Sequence, residues 1–403
     1  MSFVPILNKT KRILIVGGSH ADIPMVLAAK EFGYHVTTSG NRTDDLAHRY
    51  SDAFVPCDYS VPEEVLGVAI QIEADAICAS CNDFSALSSA YAANKLGLPG
   101  HDIPEVANLI HHKDKWRAFA QKVGISGPVA VGCGNLKEVE TALERLRLPL
   151  IVKPVDLTGG KGIQRVDTKK EILNAAQAAF SISKAKRIVV EEFITGTRHG
   201  FTCILRSEKV AFHFVDDETY HLSPYLVSAA SSSSFCPEAA VENLIAQSEK
   251  IAGSLGLVDG IFHVQFILQP SGEPVIIEIC RRGPGDLYVE LVRHATGAPY
   301  AEWIVRAACG MNMGEIFEMP VRRSVTRHCL MADRAGIFEG FDFEPDVERR
   351  IIDQMVWAQQ GERVEDPATH KFGIVFVDHG SLENARSERI LLQKLLRVNV
   401  RDE

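Results

Sequence analysis

Gln265 and Glu278 are the pair of residues whose types and spacing most directly suggest chemistry. Residues 261–269 and 274–280 read as strands joined by Pro270-Ser271-Gly272-Glu273, a turn-forming tetrapeptide. Pairing Gln269 with Pro274 sets Gln265 opposite Glu278 and His263 opposite Cys280. Alternation puts these four on one face and Phe262, Val264, Phe266 and Leu268 on the other. Directly opposed side chains have Cβ atoms roughly 5 Å apart, so Gln265 and Glu278 form a two-oxygen site suited to Mg²⁺ or Mn²⁺. The alternative is an edge hairpin whose polar face meets water. Beyond Glu278 come Arg281 and Arg282, then Gly283-Pro284-Gly285-Asp286. An arginine fork suits phosphate or carboxylate oxygens, and the end of a strand is where α/β proteins hold ligands.

A second group of residues points to phosphate. An apolar run at 148–154 carries Lys153 and leads into Thr158-Gly159-Gly160-Lys161-Gly162-Ile163. Lysines supply point charges, and glycines let backbone amides approach an anion closely. A plain turn is the alternative. The segment is not a Walker loop, because Gly162 and not Ser or Thr follows Lys161. Gly17-Gly18 after the first strand lacks the spacing of a dinucleotide fingerprint. Cys78-x-x-Cys81 has no second pair and reads as ordinary buried thiols. Asp83 suits either a helix N-cap or a substrate pocket. Asp216, Asp217 and Glu218 are a solvated loop on the preferred reading and an ammonium site on the other; His111-His112 read as solvated residues at a helix start.

The elements that must position these groups alternate along the first hundred residues. Apolar runs at 12–16, 34–38, 53–56 and 75–80 are separated by helical stretches near 23–32, 44–50, 61–73 and 84–96. This predicts a parallel α/β sheet with helices on both faces. Ser60 to Glu63 and Thr168 to Glu171 have capping-box spacing. Trp116, Phe119, Ala120 and Val123 recur at helical intervals, ending at Gly124. A strand at 187–192, a mobile loop around Ser231 to Ser234, and a helix from 237 to 255 follow. Residues 321–403 read as an α+β unit with a helix near 344–357.

At 403 residues the chain should form two or three lobes, and 46% hydrophobic with 24% charged residues is ordinary for a globular enzyme. The net charge of −9, without basic blocks, argues against a nucleic-acid partner. Nine scattered cysteines suit free thiols in a reducing compartment. No apolar run is long enough to span a bilayer, and a cytoplasmic protein with no membrane partner is expected.

The ordered motifs resemble the ATP-grasp superfamily. The hairpin and Glu278-Ile279-Cys280-Arg281-Arg282 resemble the acidic strand and Glu-Ile-Asn-Pro-Arg of its nucleotide site. Lys113-Asp114-Lys115 resembles the Asp-Lys helix start of biotin carboxylase and D-alanine–D-alanine ligase, which implies that Lys115 contacts ATP phosphate. Lys153 matches the second ATP lysine, and Thr158, Gly159, Gly160, Lys161 and Gly162 match the loop that closes over phosphates. Glu191-Glu192-Phe193-Ile194 matches the adenine-reading hinge, and Arg198-His199 the Arg-His pair after it, placing His199 among the nucleotide contacts. The resemblance implies Glu278 and Gln265 as metal ligands, with Arg282, flanked by Arg281, stabilising developing charge. Gln265 stands where relatives carry glutamate and Cys280 where they carry asparagine, which implies a weakened metal site. The implied fold is an N-terminal parallel α/β lobe (1–112) followed by a two-lobed ATP-grasp fold, 113–195 and 196–403, with an α+β subdomain at 321–403. The implied reaction uses ATP and Mg²⁺ to join a small carboxylic acid or amino acid to an amine through an acyl phosphate. A bicarbonate-using carboxylase subunit and a non-catalytic nucleotide-binding protein are the rivals. A homodimer is common among proteins of this kind.

Overall fold

A computed structural model describes residues 10–232 and 235–402. The first lobe is a four-stranded parallel sheet, β1 (Arg12–Val16), β2 (His35–Gly40), β3 (Ala53–Pro56) and β4 (Ala76–Ala79), in the order β3-β2-β1-β4. The central strand β1 is apolar on both sides because both faces are covered. Ile13 and Ile15 pack into the core containing α1 (Ile23–Glu31), whereas Leu14 and Val16 face α2 (Pro62–Gln71) and α3 (Asp83–Leu96). The Ser60 cap is displaced by one residue: Val61 is the N-cap of α2, and Glu64 reaches back to the Asp58 amide at 2.7 Å. Residues 46–49 form only a 3₁₀ turn.

Two helices, α4 (Pro104–His111) and α5 (Lys113–Val123), lead to a smaller sheet. It is built from β5 (Ala130–Cys133), β6 (Leu150–Pro154), β7 (Gln164–Val166) and β8 (Ile188–Glu192), with α6 (Leu136–Ala142) and α7 (Ile172–Ile182) packed against it. Glu171 accepts from the Asp167 and Thr168 amides at 3.1 and 3.3 Å, but the helix begins later than the Thr168 spacing predicts, with Glu171 as the N-cap of α7.

The remaining strands are β9 (Thr197–Arg206), β10 (Lys209–Tyr220), β11 (Val227–Ser232), β12 (Gly260–Leu268), β13 (Pro274–Cys280), β14 (Val325–Leu330), β15 (Gly336–Phe343), β16 (Ile351–Val356), β17 (Arg363–Val364), β18 (Gly373–Asp378) and β19 (Leu396–Arg401). Eight of them form one antiparallel sheet, β13-β12-β9-β10-β11-β14-β18-β16, and β17-β15-β19 form a small one. The helices α8 (Glu238–Leu255), α9 (Tyr288–Thr296) and α10 (Tyr300–Ala308) cover the large sheet. Two expectations fail here. The helix expected near 344–357 is a single turn followed by β16, whose side chains alternate between half-buried and exposed beside β18. Ser231 and Ser232 are buried strand residues, and the rest of the loop expected there, Ser233 and Ser234, lies outside the described residues. Among the described residues, no helix is long and apolar enough to cross a membrane.

Gly100 joins the first lobe to α10. Its φ is +84°, and a Cβ there would strike the carbonyl oxygens of Ala307 and Ala308. Gly100→Ala is therefore expected to destabilise the protein by about 2 kcal/mol or more, read as a lower thermal midpoint. An unchanged midpoint would show that this junction does not contribute to cooperative stability.

Candidate active site

The hairpin is folded as read at its chemical end and not at its turn. Gln265 lies opposite Glu278 and His263 opposite Cys280, but Leu268, not Gln269, pairs with Pro274. A bulge beside Gln265 leaves Ile277 as an extra residue in β13 and absorbs the difference. Gln265 and Glu278 open onto a cavity of about 350 Å³ between the small sheet and the large one. Lys153, Glu191, Glu192, Phe193 and Ile194 line the same cavity, together with Thr158, Gly159, Gly160 and Arg282. Gly160 (φ +73°) packs on Tyr225, where a Cβ would collide.

Lys115 is placed elsewhere. It is exposed and hydrogen-bonds Asn108, whereas Lys113 enters the cavity and donates to Glu278 at 3.0 Å and to the Leu157 carbonyl at 2.9 Å. The helix explains the exchange: Lys113, Trp116, Arg117 and Ala120 share the buried face of α5, and Lys115 lies off it. Burial disfavours the Lys113 charge, and Glu278 and Asp83 more than restore it, so its pKa is raised.

Arg281 is also placed outside the cavity. It binds Asp102 at 2.8 Å and the carbonyls of Ile261 and Val258, fastening the strand end to the loop before α4. Arg282 points the other way, into the cavity, with Nε 2.7 Å from Asp83. Asp83 is not the N-cap of α3, a role taken by Asn82, but a buried partner for Arg282 and His111. His111 is itself buried at the end of α4, not solvated. His199 is enclosed between Asp217 (3.0 Å), Thr197 (2.7 Å) and the Phe266 ring, so it supports the sheet and does not line the cavity. Lys161 and Gly162 stay outside the lining as well.

Arg117 is a residue the motifs missed. Its Nε binds Glu191 at 2.9 Å, and its other nitrogens bind the carbonyls of Ile276 and Ile277 at 3.3 and 2.5 Å. Lys153 holds the other oxygen of Glu191. Burial pushes the Glu191 carboxyl up, and the two cations more than offset it, leaving it below the ordinary range. Burial pushes Lys153 down, Glu191 opposing.

Glu278 and Gln265 together offer hard oxygen donors, which fits Mg²⁺ completed by phosphate and water oxygens. Cys280 does not add to that set: burial pushes its thiol up to about 11, so it is neutral, and its Sγ faces the Arg282 carbonyl at 3.6 Å. Asp286 is not free to help either, being paired with Lys371 (2.6 Å), Arg327 (3.5 Å) and His20 (3.5 Å). The three acids read as a solvated loop lie inside β10, where Asp216 and Asp217 are buried and Glu218 accepts from Gln265 at 2.8 Å.

Residues 112–316 match the family described as carbamoyl-phosphate synthase L chain, ATP binding domain. The carbamoyl phosphate synthase large chain of Thermoanaerobacter sp. (strain X514) is 23% identical over 217 residues, covering 53% of this chain and 20% of that one. The chain thus spans about a fifth of the length of such relatives. Among solved structures, L-amino acid ligase from Bacillus licheniformis superposes with a TM-score of 0.80 at 21% identity, covering 98% of this chain and 100% of that one. Phosphoribosylglycinamide synthetase from Anaerococcus prevotii gives 0.77 at 21% identity, with the same coverage. These likenesses establish the fold.

Lys113→Met should weaken ATP binding about tenfold or more, the worth of one charge-assisted contact, while Lys115→Met stays within about twofold. Titration of a fluorescent ATP analogue reads both; equal effects would return Lys115 to the site.

Proposed function

The chain belongs to the family of the carbamoyl-phosphate synthase L chain ATP-binding domain, within the ATP-grasp superfamily, and from that premise we propose an ATP-dependent carboxylate–amine ligase. The observation that carries the reading is the convergence of Lys113, Lys153, Glu278, Gln265 and Arg282 on one cavity. Two buried lysines and the glycine-bearing loop suit a triphosphate. The apolar side chains of Ile151, Phe193, Ile194 and Phe266 in the same lining suit a nucleobase.

In this reading Lys113 and Lys153 orient the phosphates of ATP, and Arg117 keeps Lys153 in place by holding Glu191. Glu278 and Gln265 would hold Mg²⁺, which neutralises charge on the transferring phosphoryl group. The carboxylate of a small acid or an amino acid attacks the γ-phosphorus, giving an acyl phosphate and ADP. An amine then displaces phosphate through a tetrahedral intermediate. Arg282, half-buried and fixed by Asp83, would stabilise the oxyanion. Small-molecule acid and amine substrates are the partners this requires.

The test screens amino acids and small acids, singly and in pairs, for Mg²⁺-dependent release of ADP and phosphate, with product mass naming the amide. Release with bicarbonate alone would replace the ligase by a carboxylase-type reaction, and binding without turnover would leave a nucleotide-binding protein. Arg282→Lys keeps a cation beside Asp83 but loses the planar fork. It should lower turnover about 10²-fold with little change in ATP affinity, measured by steady-state ADP release.

A further inference from the structure

The amine of a ligase reaction arrives at neutral pH as an ammonium, which has no lone pair. Some group in the cavity must take a proton before the C–N bond forms. Most basic groups of the lining are committed. Glu278 holds Lys113, and both oxygens of Glu218 are engaged, one by Gln265 and one by the Tyr220 hydroxyl. Asp286 is held well below the carboxylate range despite its burial, by Lys371, His20 and Arg327. His263 is pushed down to about 3 by burial and by Arg282, too weak a base to keep a proton.

Asp216 differs from all of these. It lies on β10, lines the cavity and is 1% exposed. Its Oδ2 accepts from the Tyr288 hydroxyl, and its Oδ1 has no hydrogen-bond partner among the described residues. The residue opposite it on β9 is Gly200, where a Cβ would strike the Asp216 carboxylate, so the glycine leaves room for it. Tyr288 packs edge-on against His263 at 5.4 Å, and His263 stands opposite Cys280, two residues before Arg282. Asp216 thus lines the same cavity as the proposed oxyanion-binding arginine.

We propose that Asp216 is the general base for the acceptor amine, its open Oδ1 taking a proton from the ammonium while Tyr288 fixes Oδ2. The inference rests on the ligase reading above. The ammonium N–H proton passes to Oδ1. The freed nitrogen lone pair forms the C–N bond at the acyl phosphate, the C–O bond to phosphate breaks, and phosphate leaves with that electron pair. The second N–H proton leaves with the phosphate, and Asp216 returns its proton to solvent. The groups facing Asp216 are Asp217 and Glu218 on its own strand, Tyr288 on α9 and Arg327 on β14, with neutral Gly200 and Ser232 on the adjoining strands. Burial, then Glu218, pushes its carboxyl up to about 8, against Tyr288 and Arg327, and a group near the working pH is a suitable proton acceptor.

The test separates the two half-reactions. Wild type and Asp216→Asn are supplied with Mg²⁺, ATP and each standard L-amino acid as the acid. The acceptor is either hydroxylamine, neutral at physiological pH and needing no base, or an amine panel of the same amino acids, methylamine and ammonium. Asn keeps the acceptor for Tyr288 and the volume of the site. The ratio of amide to hydroxamate should fall about 10²–10⁴-fold in Asp216→Asn. In the wild type that ratio should level off once Asp216 is ionised, whereas in the variant it should keep climbing with pH, following the free-amine fraction of the acceptor. Parallel loss of both products would make Asp216 a structural residue, and an unchanged ratio would remove it from proton transfer. Hydroxamate from the wild type without amide from any amine would also overturn the proposal, because the acceptor is then no ammonium. Absence of hydroxamate with every acid is a different failure, that of acyl-phosphate formation itself, and the base falls with it.

Discussion

Glu191 is a carboxylate enclosed between two cations, Arg117 and Lys153, and the geometry of the cleft depends on that enclosure. The three residues come from α5, β6 and β8, and Arg117 continues to two carbonyls of β13. A buried ion pair contributes little net stability, but loss of one member leaves an uncompensated charge costing about 3–5 kcal/mol. The arrangement therefore fixes where the small sheet meets the hairpin, more than how tightly the chain folds. Lys153 is carried to the cavity wall by it, and the face bearing Gln265 and Glu278 is held across from that lysine.

The oxygen-donor face is unusual in its economy of charge. Glu278 is its single carboxylate, opposite an amide at Gln265 and beside a neutral thiol at Cys280. Lys113 already shares Glu278. In the proposed reaction a divalent cation there would compete with a lysine for one anion, so its binding would be coupled to phosphates drawing Lys113 away. Further in, acidic residues are abundant but differently committed. Asp83 is spent on Arg282, Asp286 on Lys371 and Arg327, and Asp216 retains an open oxygen.

What the sequence could reveal depended on how local the cause was. The hairpin pairing of Gln265 with Glu278 follows from strand alternation and a short turn, and it holds. The difference between Lys113 and Lys115 is a matter of helical phase. The apolar positions Trp116 and Ala120 carry that signal once residue 113 is counted on the same stripe. Arg281 and Arg282 diverge because alternation persists past the end of β13, again a local rule. Asp216 and Glu218 were not legible. Three consecutive acids look solvated, yet Asp216 and Asp217 are buried and Glu218 half-buried because β10 is interior, flanked by β9 and β11, with Tyr288 of α9 reaching Asp216. The order of an eight-stranded sheet is set by contacts far apart in the chain, and no short window contains it. Residues 351–356 misled for the same reason, since their alternation acquires meaning only beside β18.

The bulge at Ile277 falls between the turn of the hairpin and its cleft end. On the far side of it, the turn of 270–273 hydrogen-bonds mainly to itself, Gly272 to Gln269 at 2.8 Å and Gln269 to Glu273 at 3.0 Å. At the bulge itself, Arg117 clamps the carbonyls of Ile276 and Ile277 and so anchors the phase of Glu278. A change in loop length at the tip is thereby insulated from the side-chain orientation at the cleft. The tip is a place where this scaffold can accept insertions, such as a tag or a docking peptide, while the acidic strand keeps its aim.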